Sequence, residues 1–393
     1  MRPAVVTSES EASVQRVRSH FERTLGFAFS VGNRVQRLRN GKEIFPAMLR
    51  AIDEAKHRVE VLTFIYWTGD IAQRFADALA KKAREGVEVR ALLDAFGSAR
   101  MPGELVERMR EAGVDVELFR PVRRRDMLRV TNRTHRKILV CDRQVAFTGG
   151  VGIAEEWEGD ARHPGEWRET HFRFEGPVVD GLHAAFLDNW AEAKRFLVTD
   201  PSLDPPKALG SAAACVVRST GGSAWNDMRL TTLALFAAAQ KELLLATAYF
   251  VPDVEMLEAF EAARARGVSV VVILPGEHSD HRVCTLASGE ELCRLADAGV
   301  KLHLYQRTML HAKIVLVDGV AAFIGSPNLN QRSMKLDDEV GVLALDPPLV
   351  EALRDDFRAD LTASEAFDAA RWQDRGPFQT AVEALSRRLR SGL

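Results

Sequence analysis

A chain of 393 residues, 46% hydrophobic and 27% charged, is long enough for two domains and a sizeable buried core. Its 53 Lys+Arg against 55 Asp+Glu leave a net charge of −2, so no global field marks nucleic acid or a membrane as partner, and any such contact must come from a local cluster. The four cysteines, Cys141, Cys215, Cys284 and Cys293, show neither C-x-x-C nor Cys/His spacing, which argues for reduced thiols and against a metal site.

The first seventeen residues, MRPAVVTSESEASVQRV, lack the continuous apolar stretch of a signal peptide. Val14, Val17, Phe21 and Leu25 then form an apolar stripe, which predicts a packed helix rather than one lying on a membrane. Residues 1–40 are set apart as an N-terminal extension, because an internal repeat follows them.

The segment HRVEVLTFIYWTGDIAQRFADALAKKAREGVEVRALLD is echoed by KELLLATAYFVPDVEMLEAFEAARARGVSVVVILPG. Each reads as strand, loop, amphipathic helix, Gly-Val turn and second strand. Thr63 matches Thr247, Gly86 matches Gly267, and Ala112-Gly113-Val114 matches Ala298-Gly299-Val300, at offsets of 184, 181 and 186 residues. Another strand-like run follows each Ala-Gly-Val, and then come the related stretches THRKILVCDRQVAFTGG and LHAKIVLVDGVAAFIGS. Strands alternating with helices predict an α/β fold, one α-β-α sandwich per half. The Pro-rich stretch near residues 198–213 divides them, giving a first domain over 41–200, a linker over 201–213 and a second domain over 214–393. The most apolar region, Leu230 to Val251, is broken by Gln240-Lys241-Glu242, so it reads as a helix followed by a buried strand and not as a membrane span.

Within each half lies H-x-K-x-x-x-x-D: His135, Lys137 and Asp142, then His311, Lys313 and Asp318. On a strand, side chains two apart share a face. His and Lys would then project together, a nucleophile or proton donor beside a fixed cation, while Asp142 and Asp318 point away into a structural role. One such match arises by chance in about a few per cent of chains this long, and two at equivalent points of a duplication far more rarely.

The doubled motif, followed by Gly149-Gly150 in one half and Gly325-Ser326 in the other, resembles the phospholipase D superfamily. Further residues resemble its bacterial cardiolipin synthase branch, in the shorter form without N-terminal membrane helices. These are Trp167-Arg168-Glu169-Thr170-His171, Tyr249-Phe250-Val251-Pro252-Asp253, Asn328 and Arg332-Ser333. The likeness implies two sandwiches about a pseudo-two-fold axis, with one active site at their interface. It implies that one imidazole attacks phosphorus to give a phosphohistidine and the other protonates the leaving alkoxide, without metal or other cofactor. By this analogy His135 is the nucleophile and His311 the acid, while Lys137 and Lys313 hold the non-bridging oxygens. Glu169 and Glu339 match positions that hydrogen-bond the histidine rings. Ser326 and Asn328 match phosphate-contacting positions, and Gly149 and Gly150 would admit the phosphate close to the backbone. Three residues depart from the pattern: Gly152 stands where Asn is usual, Leu62 where an acid is common, and Asp337 where Asn follows Arg-Ser.

Residues 120–137, RPVRRRDMLRVTNRTHRK, hold eight Arg/Lys against the single Asp126. Such a run suits an anionic leaflet, and without aromatic residues to stack on bases it favours lipid over nucleic acid. The expected activity is therefore a phosphatidyltransferase acting on phosphatidylglycerol or a related phospholipid, in the cytoplasm and peripherally on the inner face of the membrane. A hydrolase of lipid or nucleic acid and a catalytically silent lipid-binding scaffold are the alternatives. Neither the acceptor alcohol nor the oligomeric state is legible.

Overall fold

A computed structural model describes residues 8–121, 132–195, 203–222, 226–280 and 288–373. Strands β1 (Ser30–Arg39), β2 (Arg58–Thr63), β3 (Glu88–Asp94), β4 (Asp115–Phe119), β5 (Ile138–Cys141), β6 (Val145–Gly149) and β7 (Thr170–Glu175) form the first half. The second comprises β8 (Ala212–Ser219), β9 (Glu242–Ala246), β10 (Phe250–Val251), β11 (Ser269–Pro275), β12 (Lys301–Tyr305), β13 (Ile314–Val317), β14 (Ala321–Gly325), β15 (Leu329–Asn330), β16 (Glu339–Leu345) and β17 (Ser364–Ala366). Fifteen of them make one continuous sheet. From its outer edge inward the first half runs β4-β3-β2-β5-β6-β7-β1, and the second runs β12-β11-β9-β13-β14-β16-β8 with β17 added outside. The two orders correspond strand for strand, and β1 meets β8 antiparallel at the joint, which is what a two-fold relation between repeats requires.

Strand β1 thus belongs to the first repeat and stands near the centre of the sheet, although its sequence SVGNRVQRLR lay within the stretch set apart as an extension. Its alternating burial explains why it was hard to see: few of its residues are apolar, and buried neighbours hold it rather than its own hydrophobicity.

The helices are α1 (Ser8–Leu25), α2 (Asn40–Glu54), α3 (Asp70–Arg84), α4 (Gly103–Glu111), α5 (Val178–Lys194), α6 (Asp227–Ala238), α7 (Val254–Ala265), α8 (Gly289–Asp297), α9 (Gln331–Lys335), α10 (Pro347–Thr362) and α11 (Ala369–Gln373). One face of the sheet carries two separate cores, one under α2, α3 and α4, the other under α1, α6, α7 and α8. Val17 and Phe21 of α1 are wholly buried in the latter, as a packed stripe should be. On the opposite face α5 and α10 close a core that both halves share, running from Leu62 and Phe172 to Val342 and Phe357. Among the described residues no helix is long and apolar enough to cross a membrane. The apolar region after residue 230 divides as expected, into α6 and the buried strand β9.

Candidate active site

Strand β5 begins at Ile138 and β13 at Ile314, so both His-x-Lys triplets lie in the extended backbone leading into a strand and not in the strand itself. What fixes them is the other half of the molecule. The residue before each histidine bridges to a residue just ahead of β16 or β7: Thr134 pairs with Asp338, and Leu310 with Arg168. His135 N–H donates to the Asp338 carbonyl at 2.8 Å, and His311 N–H to the Arg168 carbonyl at 2.7 Å. This register carries Glu339 to His135, with Nδ1 2.9 Å from Oε1, and Glu169 to His311, with Nδ1 2.6 Å from Oε2. Each histidine is therefore held by the opposite repeat's glutamate.

Both rings open onto one cavity of about 510 Å³. His135, Lys137 and His311 line it, and the Lys313 ammonium sits 3.1 Å from His311 Nε2. Lys137 also donates to the His135 carbonyl at 2.8 Å and Lys313 to that of His311 at 2.6 Å, which folds each cation back beside its own imidazole. Aromatic edges complete the setting: Phe64 against His135 at 5.4 Å between centroids, and Trp157, Trp167 and Tyr249 around His311 at 5.2, 5.1 and 6.1 Å.

Burial dominates the electrostatics. It pushes His135 down to about 4, with Lys137 and Lys313 adding to the effect against the pull of Glu339. It lowers Lys137 to about 7 and Lys313 to about 8. The two carboxylates diverge. Burial lifts Glu169 to about 7 despite Lys313 and the Thr170 N–H. Burial acts on Glu339 in the same sense, but His135, Lys137 and the Ser326 hydroxyl outweigh it and hold that carboxyl below its ordinary value.

The remaining expected residues distribute as follows. Asp142 accepts from the backbone N–H groups of Lys56, His57 and Arg58 at 2.7 to 2.8 Å, and Asp318 from those of Gln240, Lys241 and Glu242 at 2.8 to 3.1 Å. Each thus ties a motif strand to the start of its neighbour, away from the cavity. Ser326 gives its hydroxyl to Glu339 and is wholly buried, so it braces that carboxylate. The two glycines make room for side chains: a Cβ on Gly149 would lie 2.4 Å from His171 Nδ1, and one on Gly150 2.3 Å from Glu169 Oε2. Asn328 lines the cavity. Of the basic run 120–137, residues 122–131 lie outside the described structure, while Arg133, Arg136 and Lys137 are buried and cannot face a membrane. Arg136 donates to the carbonyls of Ala185, Ser219 and Glu339 at 2.6, 2.9 and 3.2 Å, and so fastens the motif across the joint.

Sequence reasoning passed over much of the cavity wall, including Phe64, Trp67, Phe96, Trp157 and Asp280. Phe64 and Trp67 stand close to the Thr63 landmark of the repeat, but their counterparts Ala248 and Val251 do not line the cavity, so the repeat alone does not mark them.

Residues 48–156 and 232–361 match the family described as "Cardiolipin synthase, PLD-like domain". The chain belongs to that family. Cardiolipin synthase 1 of Bacillus anthracis is 33% identical over 360 residues, covering 89% of this chain and 70% of its own length. Cardiolipin synthase of Geobacillus kaustophilus is 33% identical over 366 residues, covering 92% and 72%. Among solved structures, phosphatidylserine synthase from Haemophilus influenzae superposes with a TM-score of 0.75 at 14% identity, over 96% of this chain and 100% of that one, which supports the shared fold. This phospholipase D-like chain keeps both motifs; of its departures, Leu62 is buried in the shared core, while Asp337 lines the cavity and receives the Arg332 Nε–H at 2.7 Å.

Proposed function

We propose that the protein is a phosphatidyltransferase that moves a phosphatidyl group from phosphatidylglycerol or a related phospholipid onto His135, and then to the hydroxyl of an acceptor. The reading is carried by one observation, two glutamate-held imidazoles opening onto a single aromatic-walled cavity.

Glu339 remains ionised and accepts the His135 Nδ1–H, so the neutral ring presents the Nε2 lone pair to phosphorus. A P–N bond forms as the P–O bond to the leaving alcohol breaks. The His311–Glu169 couple, with a carboxyl whose value is lifted to about 7, retains a proton near neutrality and gives it to the departing oxygen. In the second step an acceptor hydroxyl loses its proton to His311 as its oxygen displaces His135. Lys137 and Lys313 offset the charge that builds on the non-bridging oxygens. Aromatic walls disfavour water at the phosphohistidine, which supports transfer over hydrolysis.

Membrane contact belongs to the same reading. Phe96 is 48% exposed at the cavity rim, and the Arg100 guanidinium stacks 4.1 Å from the Trp67 ring centre beside it. A ring and a cation at the mouth suit peripheral docking on an anionic leaflet.

Purified protein incubated with phosphatidylglycerol vesicles should yield a diphosphatidyl lipid and glycerol by mass spectrometry, with the rate falling about 10³-fold in His135→Asn and in His311→Asn. Phosphatidic acid as sole product would mean hydrolysis, and full turnover in both variants would overturn the mechanism.

A further inference from the structure

The repeat makes His135 and His311 equivalent, yet the two imidazoles keep unlike company. His135 meets the Phe64 ring, whose centre the Lys137 ammonium also approaches to 5.4 Å. His311 is set among three rings, with Trp167 tilted at 41°, Trp157 at 81° and Tyr249 at 80° to its plane. The two indoles brace one another at 4.4 Å between centres. The Trp167 N–H also donates to the Glu156 carbonyl at 2.6 Å, which ties its segment to the turn that carries Trp157. Gly152 admits that second indole, since a Cβ there would lie 2.9 Å from Trp157 Cζ3.

Place in the chain explains the difference. Trp167 stands two residues before Glu169, so the extended segment that brings the carboxylate to His311 Nδ1 brings an indole to the same ring. The residue two before Glu339 is Asp337, which lines the cavity and accepts from Arg332 Nε at 2.7 Å. Among the described residues no indole packs on His135. A ring quadrupole within about 6 Å attracts a cation that meets its face, and such rings pack an imidazole in place whatever its charge. That setting suits the partner that starts protonated. The nucleophile must start neutral, and its surroundings differ accordingly.

We propose that Trp157 and Trp167 are positioning residues for His311, holding its ring plane and favouring its protonated form, so that His311 and not His135 gives up the proton. The inference rests on the two-imidazole reading. In the first step a P–N bond forms to His135 Nε2 as the P–O bond to the headgroup breaks, and the Nε2–H proton of His311 passes to the freed oxygen. His311 Nδ1 keeps its hydrogen bond to Glu169 throughout. A glycerol oxygen is a poor leaving group without that proton, whereas p-nitrophenolate departs without one. The rings therefore matter for the first kind of ester and hardly for the second.

The test holds the full chain in excess over lipid, so that one turnover is followed. It compares tritiated glycerol release from phosphatidylglycerol with p-nitrophenolate release from phosphatidyl-p-nitrophenol in the same vesicles. Trp157 is buried and its removal strains folding, so the partly exposed Trp167 carries the test. Trp167→Leu and Trp167→Met should each slow the glycerol reaction about tenfold more than the p-nitrophenyl one, and His311→Asn should show the same bias at about 10²-fold. Trp167→Phe keeps a ring and should stay within about threefold of the wild-type ratio. Phe64→Leu, beside the nucleophile, should slow both reactions alike. If the Leu and Met variants leave the ratio of the two rates unchanged, the rings do not act through His311; the inference is overturned and the two-imidazole reading stands. If His135→Asn rather than His311→Asn spares p-nitrophenolate release, the roles are reversed and the inference falls. If neither histidine variant slows either release, the two-imidazole reading fails and takes the inference with it.

Discussion

Two glutamates in equivalent positions differ in what meets them: the charge and hydrogen bond of His135, the Lys137 ammonium and a serine hydroxyl all hold Glu339 down. Ser326 donates to Glu339, whereas its counterpart Gly150 has no side chain and leaves Glu169 without that donor. Buried carboxylates ionise readily only where donors meet them, so the first is held down and the second is lifted to about 7. The sign of the consequence follows from proton binding. Between the ordinary glutamate value of about 4.3 and the folded value of about 7, the folded chain holds a proton at Glu169 that the unfolded chain has lost. That contribution is complete at low pH and disappears as pH rises through 7. Glu169→Gln should therefore match wild type in Tm at pH 5 and exceed it by roughly 2 °C at pH 8 in calorimetry, while transfer activity falls about 10²-fold. Equal melting at both values would show that this carboxyl is not perturbed.

At the scale of elements, the halves are fastened by buried guanidinium groups. Arg136 is fully buried and, besides its backbone contacts, donates to Asn189 Oδ1 at 3.1 Å. Arg168 reaches Asp360 of α10 with Nε at 2.9 Å, whereas Arg133 donates to Asp94 at 3.0 Å within the first half. Arg136→Ala would strand several buried acceptors on both sides of the joint, costing roughly 3 kcal/mol, which a urea midpoint at unchanged m would reveal. Loss of less than about 0.5 kcal/mol would mean water takes over these bonds.

The repeat and both motifs were legible because their landmarks are local: Gly-Val turns after amphipathic helices, and apolar runs following His-x-Lys. Strand β1 was not, since its burial comes from its neighbours. Nor was the true place of Arg133 and Arg136, because a run of arginines reads as solvated surface until distant carbonyls and carboxylates are seen to surround it. The exchange of Glu169 and Glu339 between repeats is likewise invisible to any local pattern, although both residues could be picked out from the resemblance.

At the scale of the whole molecule, the proposed function has lipid enter through the cavity mouth. Phe96 stands out at the rim and Arg100 lies beside Trp67, an arrangement that pairs shallow insertion with attraction to anionic headgroups. Protein should co-sediment with phosphatidylglycerol-containing vesicles in low salt and be released by high salt, and Arg100→Gln should weaken partitioning about fivefold. Binding that ignores both vesicle charge and salt would place the contact elsewhere.

The exchanged glutamates bear on how the protein is made. A nascent chain that has emerged only as far as β7 already exposes His135, yet nothing orients that ring until Glu339 leaves the ribosome and β16 joins the sheet. On the proposed reading, a product that ends before Asp338 lacks both the carboxylate that holds His135 and its ladder bond to residue 338, so it should be inactive in the phosphatidylglycerol assay.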